Sequence, residues 1–212
     1  MGDPNTRLVW IDRNARRLAT LNVRPRRWLL ASMSPDGRRA LLQEGSGKNS
    51  DLWMLDLGSE AINRLTLQQG TNQIGAWSPD GKEILYTSTR DGRGPVVLRR
   101  AVDGPGTDHV FYQSAASGKL ADGWSLDGKW VVLQELSDKN GMDLLRMPSA
   151  GGPPIRFLAT PFNEGGAQLS PDGKWVLYFV QRGRLGGPTS NHFRTRERGC
   201  RFRRLPPYTP AG

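Results

Sequence analysis

The chain has 212 residues, 26 of them Gly and 15 Pro, with 36% hydrophobic and 8% aromatic side chains, the composition of a turn-rich soluble protein. Its formal charge of +10 is unevenly placed: eight Arg and the single acid Glu197 fall between Gln181 and Gly212, leaving 22 basic against 19 acidic side chains before them, so the charge does not by itself single out nucleic acid as a partner. One Cys (Cys200) and two His (His109 and His192) exclude an intrachain disulfide and a Cys-based metal cluster, and no apolar run approaches the roughly 18 residues of a membrane span.

Along the chain, Leu8-Val-Trp-Ile-Asp12 and Leu18-Ala-Thr-Leu21 read as two strands, the third and fourth of a unit whose first two are missing. The tetrapeptide Ser34-Pro35-Asp36-Gly37 follows. It recurs as Ser78-Pro79-Asp80-Gly81, Ser125-Leu126-Asp127-Gly128 and Ser170-Pro171-Asp172-Gly173, at spacings of 44, 47 and 45 residues. That period is the size of a four-stranded propeller blade. Asp-Gly favours a tight hairpin turn, and Pro lacks the N–H needed to prolong the strand before it.

A strand follows every copy: Arg39-Ala-Leu-Leu42, Glu83-Ile-Leu-Tyr86, Trp130-Val-Val-Leu133 and Trp175-Val-Leu-Tyr178. Positions three to five past the Gly are apolar in all four, which predicts a strand buried on both faces between neighbouring blades. Nineteen residues after the motif Ser lie Trp53, Val97 and Leu144, each inside a third strand; more polar fourth strands start at Ile62, His109 and Pro154. The same offset from Ser170 reaches Thr189, where no apolar strand is found. The sequence thus predicts an all-β fold, a partial β-propeller of antiparallel blades. Three complete blades at about 30–67, 74–113 and 121–159 are flanked by half-blades at 7–22 and 166–180, followed by an Arg- and Pro-rich tail at 181–212. The change of composition at the tail reads as disordered or frame-shifted sequence. The two half-blades are complementary and could close a four-bladed ring; an arc left open would instead carry an unpaired blade face that favours self-association.

Three segments invite catalytic or ligand readings. Gly123-Trp-Ser-Leu-Asp-Gly128 resembles a serine-peptidase nucleophile elbow, but Asp127 stands where the elbow needs Gly, and Ser125 is in phase with Ser34, Ser78 and Ser170. Gly45-Ser-Gly-Lys48 suggests a phosphate loop, but Leu42 replaces its first Gly and Asn49 its Ser/Thr, so a hairpin turn is expected. The Asp residues of the four turns lie too far apart in sequence for one calcium loop. His109 has no second His nearby, and the recurring Trp residues are expected to pack between blades. Arg194 to Arg204, interleaved with Phe193 and Phe202, is the one stretch of nucleic-acid character; a nucleic-acid partner is not expected.

With these residues in hand, the chain resembles the TolB-like propeller family, whose repeats carry the signature seen here as Trp77-Ser-Pro-Asp-Gly-Lys82. More narrowly, Leu8 to Arg13, Met33 to Gly37, Ser88-Thr-Arg-Asp-Gly92 and Phe162 to Gly173 are similar to the C-terminal propeller regions of bacterial serine/threonine protein kinases. The resemblance covers roughly residues 7 to 180. It implies a longer parent carrying a kinase domain and a membrane span, and hence an open arc cut from a larger ring rather than a closed four-bladed one, yet no V-A-I-K, H-R-D or D-F-G element is present.

The expected function is a non-catalytic module for protein–protein interaction or ligand sensing, a fragment of a larger multidomain protein. The alternatives are the propeller of a kinase or serine peptidase whose catalytic domain lies elsewhere, and a basic-tailed nucleic-acid binder. No catalytic residue, cofactor or metal ligand is assigned. The expected partner is a protein or small ligand on the propeller face. Met1-Gly2-Asp3-Pro4 has no signal-peptide character, so the chain as written is expected in the cytoplasm, or outside it if cut from a membrane-anchored or TolB-like parent.

Overall fold

The computed structural model describes residues 6–46, 49–67, 70–90, 92, 94–104, 106–139, 141–181 and 198–204. Among them every regular element is a strand. The first sheet pairs β1 (Val9–Ile11) with β2 (Arg17–Thr20). Three four-stranded meanders follow: β3 (Trp28–Met33), β4 (Arg39–Ser46), β5 (Asn49–Asp56) and β6 (Ile62–Arg64); β7 (Asn72–Trp77), β8 (Glu83–Ser88), β9 (Val96–Ala101) and β10 (Asp108–Tyr112); β11 (Lys119–Trp124), β12 (Trp130–Ser137), β13 (Gly141–Pro148) and β14 (Ile155–Leu158). A last sheet joins β15 (Asn163–Leu169), β16 (Trp175–Gln181) and β17 (Arg198–Arg204). All pairs within the sheets are antiparallel.

The repeated tetrapeptide builds the same turn four times. The Ser hydroxyl donates to the Asp Oδ1 two residues on, at 2.6, 2.7, 2.6 and 2.5 Å for Ser34, Ser78, Ser125 and Ser170. It also accepts the N–H of the next strand's first residue, Arg39, Glu83, Trp130 or Trp175, at 2.9–3.0 Å. The same Asp oxygen takes the N–H of the residue after the Gly. Gly37, Gly81, Gly128 and Gly173 sit at φ between +66° and +73°, which a Cβ would disfavour. The hydroxyl that donates to each Asp, and then the backbone N–H, hold its carboxyl below the ordinary range.

The second strand of each meander is the wall between sheets. Ala40 and Leu42 pack back onto Leu21 and Val23, whereas Leu41 packs forward with Ile84 and Tyr86. In the next meander Ile84 and Tyr86 face back and Leu85 faces forward onto Val131 and Leu133; Val132 then faces forward onto Val176 and Tyr178. These residues are 0–7% exposed. The rule ends at β16. Val176, Tyr178 and Val180 are buried against the preceding sheet, but Trp175 and Phe179 on the other face are 45% and 41% exposed.

The structure also departs from the sequence reading. Thr189, which the repeat offset reaches without an apolar strand, lies outside the described residues, as does most of the tail; within the tail, read as disordered or frame-shifted, β17 pairs with β16 from Trp175↔Arg204 to Gln181↔Arg198. The constant offset of 19 does not give a constant face. Trp53 stands opposite Leu42, while Val97 and Leu144 stand opposite Thr87 and Gln134, one position further along. Accordingly Trp53 and Leu55 turn back toward β1–β2, whereas Val97 and Leu144 face forward. Of the tryptophans, Trp77 is buried between sheets, but Trp10 and Trp175 are exposed.

Candidate interaction surface

Antiparallel pairing sends the Asp-Gly turns and the third-to-fourth-strand loops to one end of the sheets, and the second-to-third hairpins and inter-sheet connections to the other. At the hairpin end, Arg26, Arg27, Glu44, Gly45, Asn49, Asp51, Trp53 and Arg64 line a groove of about 640 Å³. The Arg26 guanidinium lies 4.3 Å above the Trp53 ring and bridges Glu44 at 3.1 Å. Trp53 meets the edge of Trp28 at 6.4 Å and 88°. Arg64 bridges Asp51 at 2.6 Å, and Thr66 donates to the other oxygen of the same carboxylate at 3.0 Å. Three Arg face two carboxylates here, and Arg27 is exposed, so the groove keeps a net positive charge beside an aromatic wall.

At the opposite end a second groove of about 570 Å³ runs past Glu83, Arg99, Thr107, His109, Phe111 and Gly151. Arg99 grips both oxygens of Glu83, donates to the Ser149 carbonyl at 2.9 Å and lies 5.4 Å from the Trp124 ring centre. Its charge is spent on joining two sheets. His109 sits on β10 opposite Arg99, exposed in the wall of this groove.

The tempting catalytic segments resolve into turns. Ser125 makes the same two bonds as its three counterparts, to Asp127 and from Trp130 N–H, so its hydroxyl is held within the turn as theirs are. Gly45↔Ser50 and Ser46↔Asn49 pair across a hairpin, so strand leads to strand where a phosphate loop leads to a helix; Gly47 and Lys48 lie outside the described residues. Among the described residues no three His, Cys, Asp or Glu are grouped to hold a metal ion.

A buried charge network escaped the sequence reading because its members come from separate strands. Glu135 on β12 accepts from Tyr112 and Ser114, both at 2.5 Å, and from Arg156 at 2.9 Å; Arg156 also donates to Asp143 on β13. Burial raises the carboxyls of Asp143 and of Glu164, the second residue of β15 across the seam, above their ordinary range. Nearer the first strands, Asp122 takes the Ala167 N–H of the next sheet at 2.7 Å and a bond from Gln134. Burial pushes its carboxyl up to about 6 against the pull of those two donors. Gln43, at the same motif offset as Gln134, accepts the Ile74 N–H across the first seam at 3.3 Å. A Gln nine residues after the motif Ser was a signal available in the sequence for both.

A family model for the TolB beta propeller domain matches residues 16–188. The chain is 24% identical over 156 residues to the Tol-Pal system protein TolB of Helicobacter hepaticus, an alignment covering 71% of this chain and 36% of that protein. Among solved structures, TolB from Acinetobacter baumannii is similar with a TM-score of 0.66 at 24% identity, over 81% of this chain and 42% of that one. A protein described as TolB from Agrobacterium tumefaciens gives 0.66 at 17% identity, over 89% and 69%. A prolyl endopeptidase gives 0.55 at 13% identity, over 72% of this chain and 24% of that one. These structural likenesses show the fold, and the chain spans 36% of the length of the curated relative it matches.

Proposed function

The chain belongs to the TolB β-propeller family, and from that premise we propose that it is a non-catalytic module for protein–protein interaction, part of a larger multidomain protein. The observation that supports this most is the hairpin-end groove, where Arg26 stacks on Trp53 and the exposed Arg27 and Arg64 stand at its rim. Arg and Trp in a partly desolvated concave site are the residue types that dominate protein interfaces. Two acids against three Arg leave room for one carboxylate, so the partner offers an acidic residue beside an apolar side chain. The opposite groove has its central Arg99 committed to Glu83 and Ser149 and makes the weaker candidate. No helix of the described residues is long and apolar enough to cross a membrane.

A photo-cross-linking side chain placed at Arg27, compared with one at Leu126 on the Asp-Gly end, tests the reading in cells of the source organism. Adducts are expected from position 27 and are lost when Arg64→Glu is added. Equal adducts from both positions, or adducts indifferent to Arg64→Glu, count against the groove. The coding sequence on either side of residues 1–212 separates a stand-alone interaction module from the propeller of a kinase or peptidase.

A further inference from the structure

Three seams separate the three meanders and the last sheet, and two of them are clasped at the same place. The residue nine after the motif Ser is Gln43 in the first meander and Gln134 in the third. Gln43 accepts the Ile74 N–H across its seam at 3.3 Å. Gln134 lies against Gly165 across its own and holds Asp122, which takes the Ala167 N–H at 2.7 Å. In the second meander this position is Thr87, a shorter side chain on the same face of β8 as Leu85. Thr87 is 3% exposed, and its Oγ1 is buried without a hydrogen-bond partner. Beside that hydroxyl a crevice of about 250 Å³ opens between the second and third meanders. Thr87 and Thr89 line it from one side and Lys119, the first residue of β11, from the other; the half-buried Pro95, Leu120 and Met142 make its apolar wall. Lys119 is 2% exposed, and among the described residues its ammonium bonds only the Ala116 carbonyl. Glu135, its cross-strand neighbour, is already held by Tyr112, Ser114 and Arg156. A buried ammonium with no carboxylate in contact is costly, and burial lowers its pKa against the pull of Glu135.

We propose that this crevice is a binding site for a small carboxylate with a short apolar body. The Thr87 hydroxyl donates to a carboxylate oxygen, the Lys119 ammonium supplies the counter-charge, and the carbon chain lies on Pro95, Leu120 and Met142. One ammonium and one free hydroxyl match a single negative charge. Among the described residues no Arg lines the crevice, and its volume is below that of a site for a drug-sized ligand, so neither a nucleotide nor a larger polyanion fits. The ligand's carboxylate takes the place that the side-chain amide holds in the other two seams. An occupied crevice therefore ties the second meander to the third, as Gln43 and Gln134 tie their own neighbours.

Butyrate is the probe, with butyramide and butylamine as neutral and cationic counterparts of the same length, each offered to the full chain at millimolar concentration. Saturation-transfer NMR reads contact, and thermal melting reads the stabilisation that binding confers. Butyrate is expected to receive saturation and to raise the melting temperature, and the other two are not. Thr87→Val, nearly the same shape without the hydroxyl, is expected to weaken butyrate about tenfold. Lys119→Met is expected to remove the preference for carboxylate over amide. Thr87→Gln installs the clasp residue of the other seams; it is expected to fill the crevice and abolish binding while the free chain melts no lower than wild type. Circular dichroism checks that the variants fold, and if Lys119→Met does not, the two Thr87 variants and the three-ligand comparison still decide. No saturation of butyrate, an equal response to butyramide, or butyrate binding indifferent to Thr87→Gln overturns the proposal. Each of these outcomes leaves the hairpin-end groove and its cross-linking test untouched.

Discussion

Ser78 shows how one hydroxyl fixes a turn: it donates to Asp80, accepts from Glu83 N–H and is 3% exposed. Ser78→Ala leaves that N–H without its partner, and urea denaturation is expected to show a loss of about 1–2 kcal/mol. Its three counterparts behave alike because the geometry is the same, which is why a four-residue motif was readable without any structure. Asp122 is the opposite case. Its folded carboxyl, near 6, is above the ordinary 3.8, so between these values the unfolded chain has lost a proton that the folded chain keeps. The stabilising contribution is therefore complete below about pH 4 and disappears as pH rises through about 6, a change of about 2–3 kcal/mol. Asp122→Asn, which can still accept from Ala167 and turn its amide toward Gln134, is expected to flatten the stability profile across that window, read by thermal melts at several pH values. Nothing in the local sequence around Asp122 announces this, since its environment is made by Gln134 and by Ala167 from the next sheet.

At the scale of elements, the second strands were legible because burial on both faces writes an unbroken apolar run into the sequence. Leu85 lies between two sheets and is fully buried. Leu85→Ala is expected to cost about 2–5 kcal/mol in chemical denaturation, whereas Phe179→Ala, on the open face of β16, is expected to cost about 1 kcal/mol or less. The third strands were legible in position but not in facing. Their hairpins close one residue apart in register, Leu42↔Trp53 against Thr87↔Val97, and a single-residue slip turns every side chain of the strand to the other sheet. β17 was not legible at all. Only Cys200-Arg-Phe-Arg203 alternates apolar and charged side chains, too short a stretch in an Arg-rich tail to mark a strand, and its pairing with β16 is a property of the strand edge it meets.

At the scale of the whole molecule, five sheets stack in chain order, and β1–β2 and β15–β17 remain separate sheets. Among the described residues the first and last units leave Met33, Trp175 and Phe179 exposed, whereas the positions between the inner sheets are buried. The groove of Arg26, Trp53 and Arg64 also belongs to this scale, because it gathers residues 26 to 64 from a linker and three strands. The sequence by itself determined the repeat, the turns and the all-β class, since these depend on backbone geometry and burial that recur every 45 residues or so. Only the tertiary structure decided which charges are paired, which carboxyls are pushed upward and which apolar faces are left open, because those depend on neighbours contributed by other sheets.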